Sequence, residues 1–221
     1  MEVTTAEAAA RLGVSQRQVE RLVAAGALAS TRQVGRAWMI DATSVARLGE
    51  QARLRGRPWH SATAWAGLLR LSGLETPWLD RQASRRLDER LAVTSANELE
   101  WACRRRAQIK RFRVSGSFLA ELSAKVRLTG ASAVQPERDL LSPPVDRVDG
   151  YVTTPERDVI AQEYFLIEDP LGNATLRVTD FLAVASWEGT MPVAVVGIDL
   201  LDSTDPRQSA AGRRLVEGLL P

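Results

Sequence analysis

The sequence predicts an α+β protein: two short helices and a hairpin at the N-terminus, a helical middle segment, and a small mixed unit at the C-terminus. Three observations point there. Residues 3–48 alternate helix-capping residues, glycines and short apolar stripes, Ser61–Leu71 carries apolar side chains at helical spacing, and beyond Val126 short β-type runs are separated by turn residues. The predicted boundaries are 1–52 for the N-terminal domain and 56–221 for the rest, divided into a helical part 56–113 and an α+β part 114–221.

In the first element, Thr4 or Thr5 caps a helix over Ala6–Leu12, with Glu7 in its first turn and Gly13 supplying the left-handed residue that ends it. Ser15 caps a second helix, Gln16–Ala25, closed by Gly26, and Val19, Leu22 and Val23 form its inward stripe. Small Ala9 lets the helices approach, and Gly13-Val14-Ser15 makes a three-residue corner, which is a helix-turn-helix pattern. Ala27–Ser30 and Val34–Ile40 read as two short strands around a turn, a wing, and Asp41 caps a third helix through Leu48.

This run, TTAEAAARLGVSQRQVERLVAAGALASTRQVGRAWMIDATSVARL, resembles the excisionase and MerR-like winged helix-turn-helix family. In such modules the second helix enters the major groove with its N-terminal residues on base edges. The side chains opposite its inward stripe are Ser15, Gln16, Arg17, Glu20 and Arg21. Arg17 and Gln16 are the base readers, since arginine bonds guanine and glutamine bonds adenine bidentately, while Ser15 and Arg21 hold phosphate. In the wing, Arg32, Gln33 and Arg36 surround Gly35, whose missing side chain permits close backbone approach to DNA. The competing reading makes the second helix a protein-protein surface with solvated arginines. Trp38 belongs to the wing core.

The formal net charge of +2 conceals a division, because residues 1–130 carry +10 and residues 131–221 carry −8. Of 29 basic residues, only Lys110 and Lys125 are lysine. One cysteine, Cys103, excludes an intramolecular disulfide, and one histidine, His60, excludes zinc sites built on several histidines. The start lacks a signal-peptide pattern and no apolar run approaches the ~20 residues that span a bilayer. These features predict a cytoplasmic protein that needs no cofactor, in which the Asn173-Ala174-Thr175 sequon has no role.

Gln51–Arg57 reads as a connector whose arginines either touch flanking DNA or are solvated. His60 caps or packs against the Ser61–Leu71 helix. Further helices are expected over Ser84–Leu91 and Ser95–Lys110, the second opening on the capping-box sequence Ser95-Ala96-Asn97-Glu98. Arg104, Arg105, Arg106, Lys110, Arg111 and Arg113 follow as six cations in ten positions, read either as a dipole-complementing helix end or as a nucleic-acid patch. Cys103 is a buried inert thiol.

In the C-terminal third the pattern gives a strand over Val126–Thr129, a turn into a short helix at Gly130–Ala133, and a proline-bearing stretch Gln135–Val148. Tyr164–Ile167 and Ala174–Val178 flank Asp169–Asn173 as a hairpin, Val193–Leu200 reads as a buried strand, and Asp205-Pro206 opens a final helix. Asp199 and Asp202 at the end of such a strand are candidate carboxylates of a metal-dependent nuclease, although Asp205 is better explained as a cap. The glycines near Gly130 form no phosphate-binding loop.

Residues 56–221, with the segments RLTGASAV and AVVGIDLLDSTDPRQSAAGRRLVEGLL, resemble the AbiEi-type antitoxins of type IV toxin-antitoxin systems. That resemblance implies an autorepressor whose partner is a nucleotidyltransferase-like toxin. The sequence-based expectation is therefore a sequence-specific regulator of double-stranded DNA, acting singly or as a homodimer, and not an enzyme. The alternatives are an architectural excisionase and a nuclease using Asp199 and Asp202.

Overall fold

The computed structural model of the protein describes residues 2–34, 37–53, 57–134, 146–203 and 205–221. A small three-stranded sheet with three helices comes first. β1 (Glu2–Thr4) leads into α1 (Thr5–Leu12) and α2 (Gln16–Ala24), then β2 (Ser30–Val34), β3 (Ala37–Asp41) and α3 (Ala42–Arg53). The sheet runs in the order β1-β3-β2 and is antiparallel throughout.

Local chemistry explains each boundary. The Thr4 hydroxyl accepts from the Glu7 backbone N–H while the Glu7 carboxylate accepts from the Thr4 N–H at 2.7 Å, a capping box. Gly13 (φ +66°) turns the chain out of α1 in the left-handed conformation that disfavours a Cβ. The Ser15 hydroxyl caps α2 by accepting from the Gln18 N–H. Asp41 caps α3 through the Ser44 N–H at 2.9 Å. β1 was not foreseen: it is three residues long and contributes only Val3 to the core. That core joins Val3, Ala8, Val19, Val23, Leu28, Ile40 and Val45, with Trp38 half-buried against it.

The rest of the chain builds on α4 (Ser61–Leu71), α5 (Arg81–Leu91), α6 (Ala96–Cys103) and β4 (Gln108–Arg113). A 3-10 turn at Gly116–Phe118 leads into α7 (Leu119–Lys125), β5 (Arg127–Leu128), α8 (Gly130–Ala133), β6 (Val148–Val152), α9 (Thr154–Glu163), β7 (Ile167–Glu168) and β8 (Ala174–Val178). The chain ends with α10 (Leu182–Ala185), α11 (Val193–Leu201) and α12 (Pro206–Leu219). The second sheet has the order β5-β6-β8-β4-β7, with β6 and β8 parallel and every other pair antiparallel. α9 lies in the crossover that a parallel pair requires. His60 caps α4, accepting at Nδ1 from the Ala62 N–H at 3.4 Å.

Several expectations fail. The first wing strand is Ser30–Val34 rather than Ala27–Ser30, and α3 runs on to Arg53 through residues expected to be connector. Val193–Leu200 is helix α11, buried on nearly every side, and an all-round apolar segment carries no period to separate helix from strand. The helix expected over Ser95–Lys110 stops at Cys103, and Gln108–Arg113 is a strand inside the second sheet. Its cationic side chains hid the strand because arginine and lysine can lay apolar stems along a sheet and still direct charge outward. The segments on either side of Asp169–Asn173 do not pair with each other, since β7 and β8 bond to opposite edges of β4. The expected Gln135–Val148 stretch falls largely outside the described residues.

One core unites elements from both sides of residue 113. Trp65 and Leu68 of α4 and Leu99 of α6 pack with Tyr151 of β6 and with Val195 and Ile198 of α11. A second cluster, including Phe112, Leu122, Val148 and Leu176, lies beneath α7 and α9. α11 and α12 approach closely because both contact faces use glycine, Gly197 and Gly212.

Candidate nucleic-acid interface

Two side chains, Val19 and Val23, bury one face of α2 almost completely, at 0% and 2% exposure. A helix of nine residues held this way must present its other face to solvent. Ser15, Gln16, Arg17, Glu20 and Arg21 are all exposed; Arg17, Glu20 and Arg21 lie on the side of α2 turned away from Val19 and Val23, while Ser15 and Gln16 are exposed at its N-terminal end, in line with that stripe. The two base-reading candidates, Gln16 and Arg17, occupy the first turn of α2. The Ser15 hydroxyl is engaged as the α2 cap, which leaves its contribution to any phosphate contact secondary to its role in ending the corner.

The wing is placed in part. Arg32 is exposed in β2, and its Nε donates to Glu2 Oε2 at 2.9 Å. Glu2 also accepts from the Thr31 hydroxyl at 2.8 Å, and these two bonds hold its carboxyl below the usual range. Arg32 is therefore steered by an internal partner that sequence reasoning missed; the sequence holds only the polar-apolar-polar run Glu2-Val3-Thr4, too short to read as a strand. Gln33 sits in β2 opposite Trp38 in the register. Gly35 and Arg36, like Arg55 and Gly56 of the connector, lie outside the described residues.

The six-cation segment does not form one patch. Arg106 is buried and points into the core, Lys110 approaches Glu168 at 3.3 Å, Arg113 pairs with Asp169, and the Arg111 Nη1 lies 3.5 Å from the Gly26 carbonyl. Arg104 and Arg105 alone of the six are exposed next to the end of α2. The rest are separated because Cys103 ends the helix and the following strand alternates directions.

The carboxylates proposed for metal chemistry have other occupations. Asp199, in the last turn of α11, is 2% exposed. It pairs with Arg106, lies 2.9 Å from Arg177 Nη1, and accepts from Thr129 Oγ1 at 2.6 Å and from the Tyr151 hydroxyl at 3.3 Å. Arg177 in turn makes a bidentate bond to Asp149, at 2.8 and 2.9 Å. Burial works against the charge on Arg106, but Tyr151 and Asp199 outweigh it, so its pKa is raised. Asp202 faces Arg47 at 3.6 Å, and Asp205 caps α12 through the Arg207 N–H at 2.7 Å. Among the described residues no group of three or more His, Cys, Asp or Glu side chains is arranged to hold a metal ion. Cys103 is buried, and desolvation pushes its thiol up to about 12.

Arg47 joins the N-terminal domain to the rest. From α3 its Nη1 donates to the carbonyls of Leu201 (3.3 Å) and Ser203 (3.0 Å) at the C-terminal end of α11, where the helix dipole favours a cation. Its Nε lies 3.7 Å from Glu100. No helix among the described residues is long and apolar enough to cross a membrane.

Neither the curated proteins nor the solved structures that were compared include a match to this chain. Residues 2–53, the segment that carries the capped corner, the exposed α2 face and the wing, match the family described as a helix-turn-helix domain. The N-terminal unit is thus a helix-turn-helix domain, a module whose presence implies DNA binding.

Proposed function

We propose that the protein is a sequence-specific DNA-binding transcription regulator that represses its own gene in an antitoxin-like role. The observation that carries the reading is the exposed polar face of α2, with Gln16 and Arg17 in its first turn above a stripe fixed by Val19 and Val23. That helix enters the major groove, Arg17 and Gln16 read base edges, and Arg21, Arg32 and Arg36 contribute backbone contacts. Two copies binding together would require half-sites about one helical turn apart. The role of the C-terminal domain as the docking unit for a nucleotidyltransferase-like toxin rests on the resemblance of residues 56–221 to AbiEi-type antitoxins.

Fluorescence anisotropy tests this with a duplex taken from directly upstream of the chain's own coding sequence, against a scrambled duplex at equal salt. Tighter binding to the native duplex, with repression of a reporter driven by it, is expected. Equal binding to both duplexes overturns the sequence-specific reading; specific binding with DNA bending but no repression transfers the assignment to an architectural excisionase. Co-purification with the product of the neighbouring reading frame tests the toxin partner.

A further inference from the structure

The cleft between the helix-turn-helix domain and the C-terminal domain encloses about 480 Å³ and takes its walls from both. Leu22 and Leu48 come from the N-terminal side, and Ile109, Ile198, Arg104 and Arg105 from the other. That volume falls within the range of sites for small organic ligands, roughly 300–1,000 Å³, which favour domain interfaces.

The charges in the cleft are not balanced. Arg47 engages both of its carboxylates, Glu100 and Asp202, while Arg106 is committed to Asp199. Arg104 and Arg105 are adjacent and exposed, and no carboxylate among the described residues forms an ion pair with either. The Arg104 guanidinium lies 3.4 Å from the centroid of the Trp101 ring, which limits its rotamers before any ligand arrives and lowers the ordering cost of binding. Desolvation, and then repulsion by Arg105, pulls the Arg104 pKa down. An anion between the two relieves that repulsion.

We propose that this cleft binds a small organic anion, its carboxylate or phosphate held by Arg104 and Arg105 and its apolar body seated against Leu22, Leu48, Ile109 and Ile198. Paired guanidiniums match the planar, two-oxygen geometry of such groups. A ligand there touches the end of α2 and the C-terminal domain together, so it fixes the orientation of the recognition helix. The effect on DNA affinity rests on the proposed function; the binding of the anion does not.

The test uses the full chain and isothermal titration calorimetry, without DNA, with benzoate and phenyl phosphate as probes and inorganic phosphate as the comparison. Saturable 1:1 binding of at least one aryl anion is expected, at least tenfold tighter than inorganic phosphate. The double variant Arg104→Gln/Arg105→Gln should weaken it at least tenfold, with folding checked by circular dichroism. Ala27→Trp fills the cleft from the other side and should abolish binding, which keeps the test decisive if the double variant misfolds. Absence of saturable binding of both probes overturns the proposal, as does undiminished binding by either folded variant. If the double variant instead flattens the salt dependence of DNA binding while the parent binds neither probe, the two arginines are DNA-backbone contacts and the cleft proposal fails. Failure of the promoter-binding experiment leaves the calorimetric result standing on its own.

Discussion

Asp199→Asn removes one negative charge from the centre of the C-terminal core while keeping the side-chain volume. In the parent, Asp199 serves Arg106, Arg177, Thr129 and Tyr151 together. Arg177 keeps a carboxylate after the change, because Asp149 holds it bidentately. Arg106 does not: what remains to it is a neutral amide oxygen at position 199, the Tyr151 hydroxyl at 2.9 Å and the Cys103 carbonyl at 3.0 Å, none of them charged. The substitution therefore strands a buried guanidinium, which costs about 3–5 kcal/mol. For a chain of this size each kcal/mol shifts the melting temperature by roughly 2–4 °C, so a fall on the order of 10 °C is expected. Thermal and urea unfolding, each followed by circular dichroism, measure it. Replacing both partners, Arg106→Met with Asp199→Leu, should cost less than Asp199→Asn alone, because it removes the stranded charge. A loss below about 1 kcal/mol for Asp199→Asn would refute this account of the core. So would magnesium-dependent DNA cleavage by the parent that Asp199→Asn abolishes without loss of stability, since that outcome makes Asp199 a catalytic carboxylate.

Glu156 accepts from Arg127 at 2.7 and 2.9 Å and from the Thr153 N–H at 2.6 Å, and these bonds hold its carboxyl down to about 2, from 4.5. Its contribution to stability is complete above about pH 4.5 and is lost as the pH falls toward 2, so Glu156→Gln should lower stability at neutral pH and flatten that part of the acid limb in urea titrations. An unchanged acid limb contradicts the assignment, although solvent screening at this partly exposed site keeps the effect smaller than at Asp199. Cys103, with its thiol pushed up to about 12 by burial, should resist iodoacetamide in the native protein and react only in denaturant; rapid native labelling seen by mass spectrometry would mean that the α4–α6 packing is wrong. Gly212→Ala places a Cβ 2.6 Å from the Gly197 carbonyl and should cost roughly 1–3 kcal/mol in unfolding experiments by forcing α12 away from α11, whereas a neutral result would deny the close helix contact.

Short-range chemistry made the N-terminal domain readable. Thr4 with Glu7, Gly13, Ser15 and Asp41 each announces a cap or corner within four residues, and Val19 and Val23 announce the buried face; the exposed surface follows by subtraction. Ser61–Leu71 and Asp205-Pro206 were legible for the same reason. The C-terminal domain depends on partners far apart in sequence: Asp199 is explained by residues 106, 129, 151 and 177, and none of those pairings leaves a local signature. α11 lost its period to burial on all sides, and Gln108–Arg113 hid an interior strand behind cationic side chains. On the candidate interface, Glu2 escaped notice because the three-residue strand that brings it to Arg32 is too short to show alternation. Arg47 escaped because its carbonyl acceptors exist only where α11 ends.

Selection of binding sites from a randomised duplex pool, run on the parent and on Arg17→Ala at fixed salt, addresses the central claim most directly. The parent should enrich one defined sequence, and Arg17→Ala should lose discrimination at one or two base pairs of that site, worth about 1–3 kcal/mol, while binding to unrelated DNA is weakened less. A parent that enriches no sequence, or an Arg17→Ala profile identical to the parent's at every position, would contradict the claim that the exposed face of α2 reads DNA.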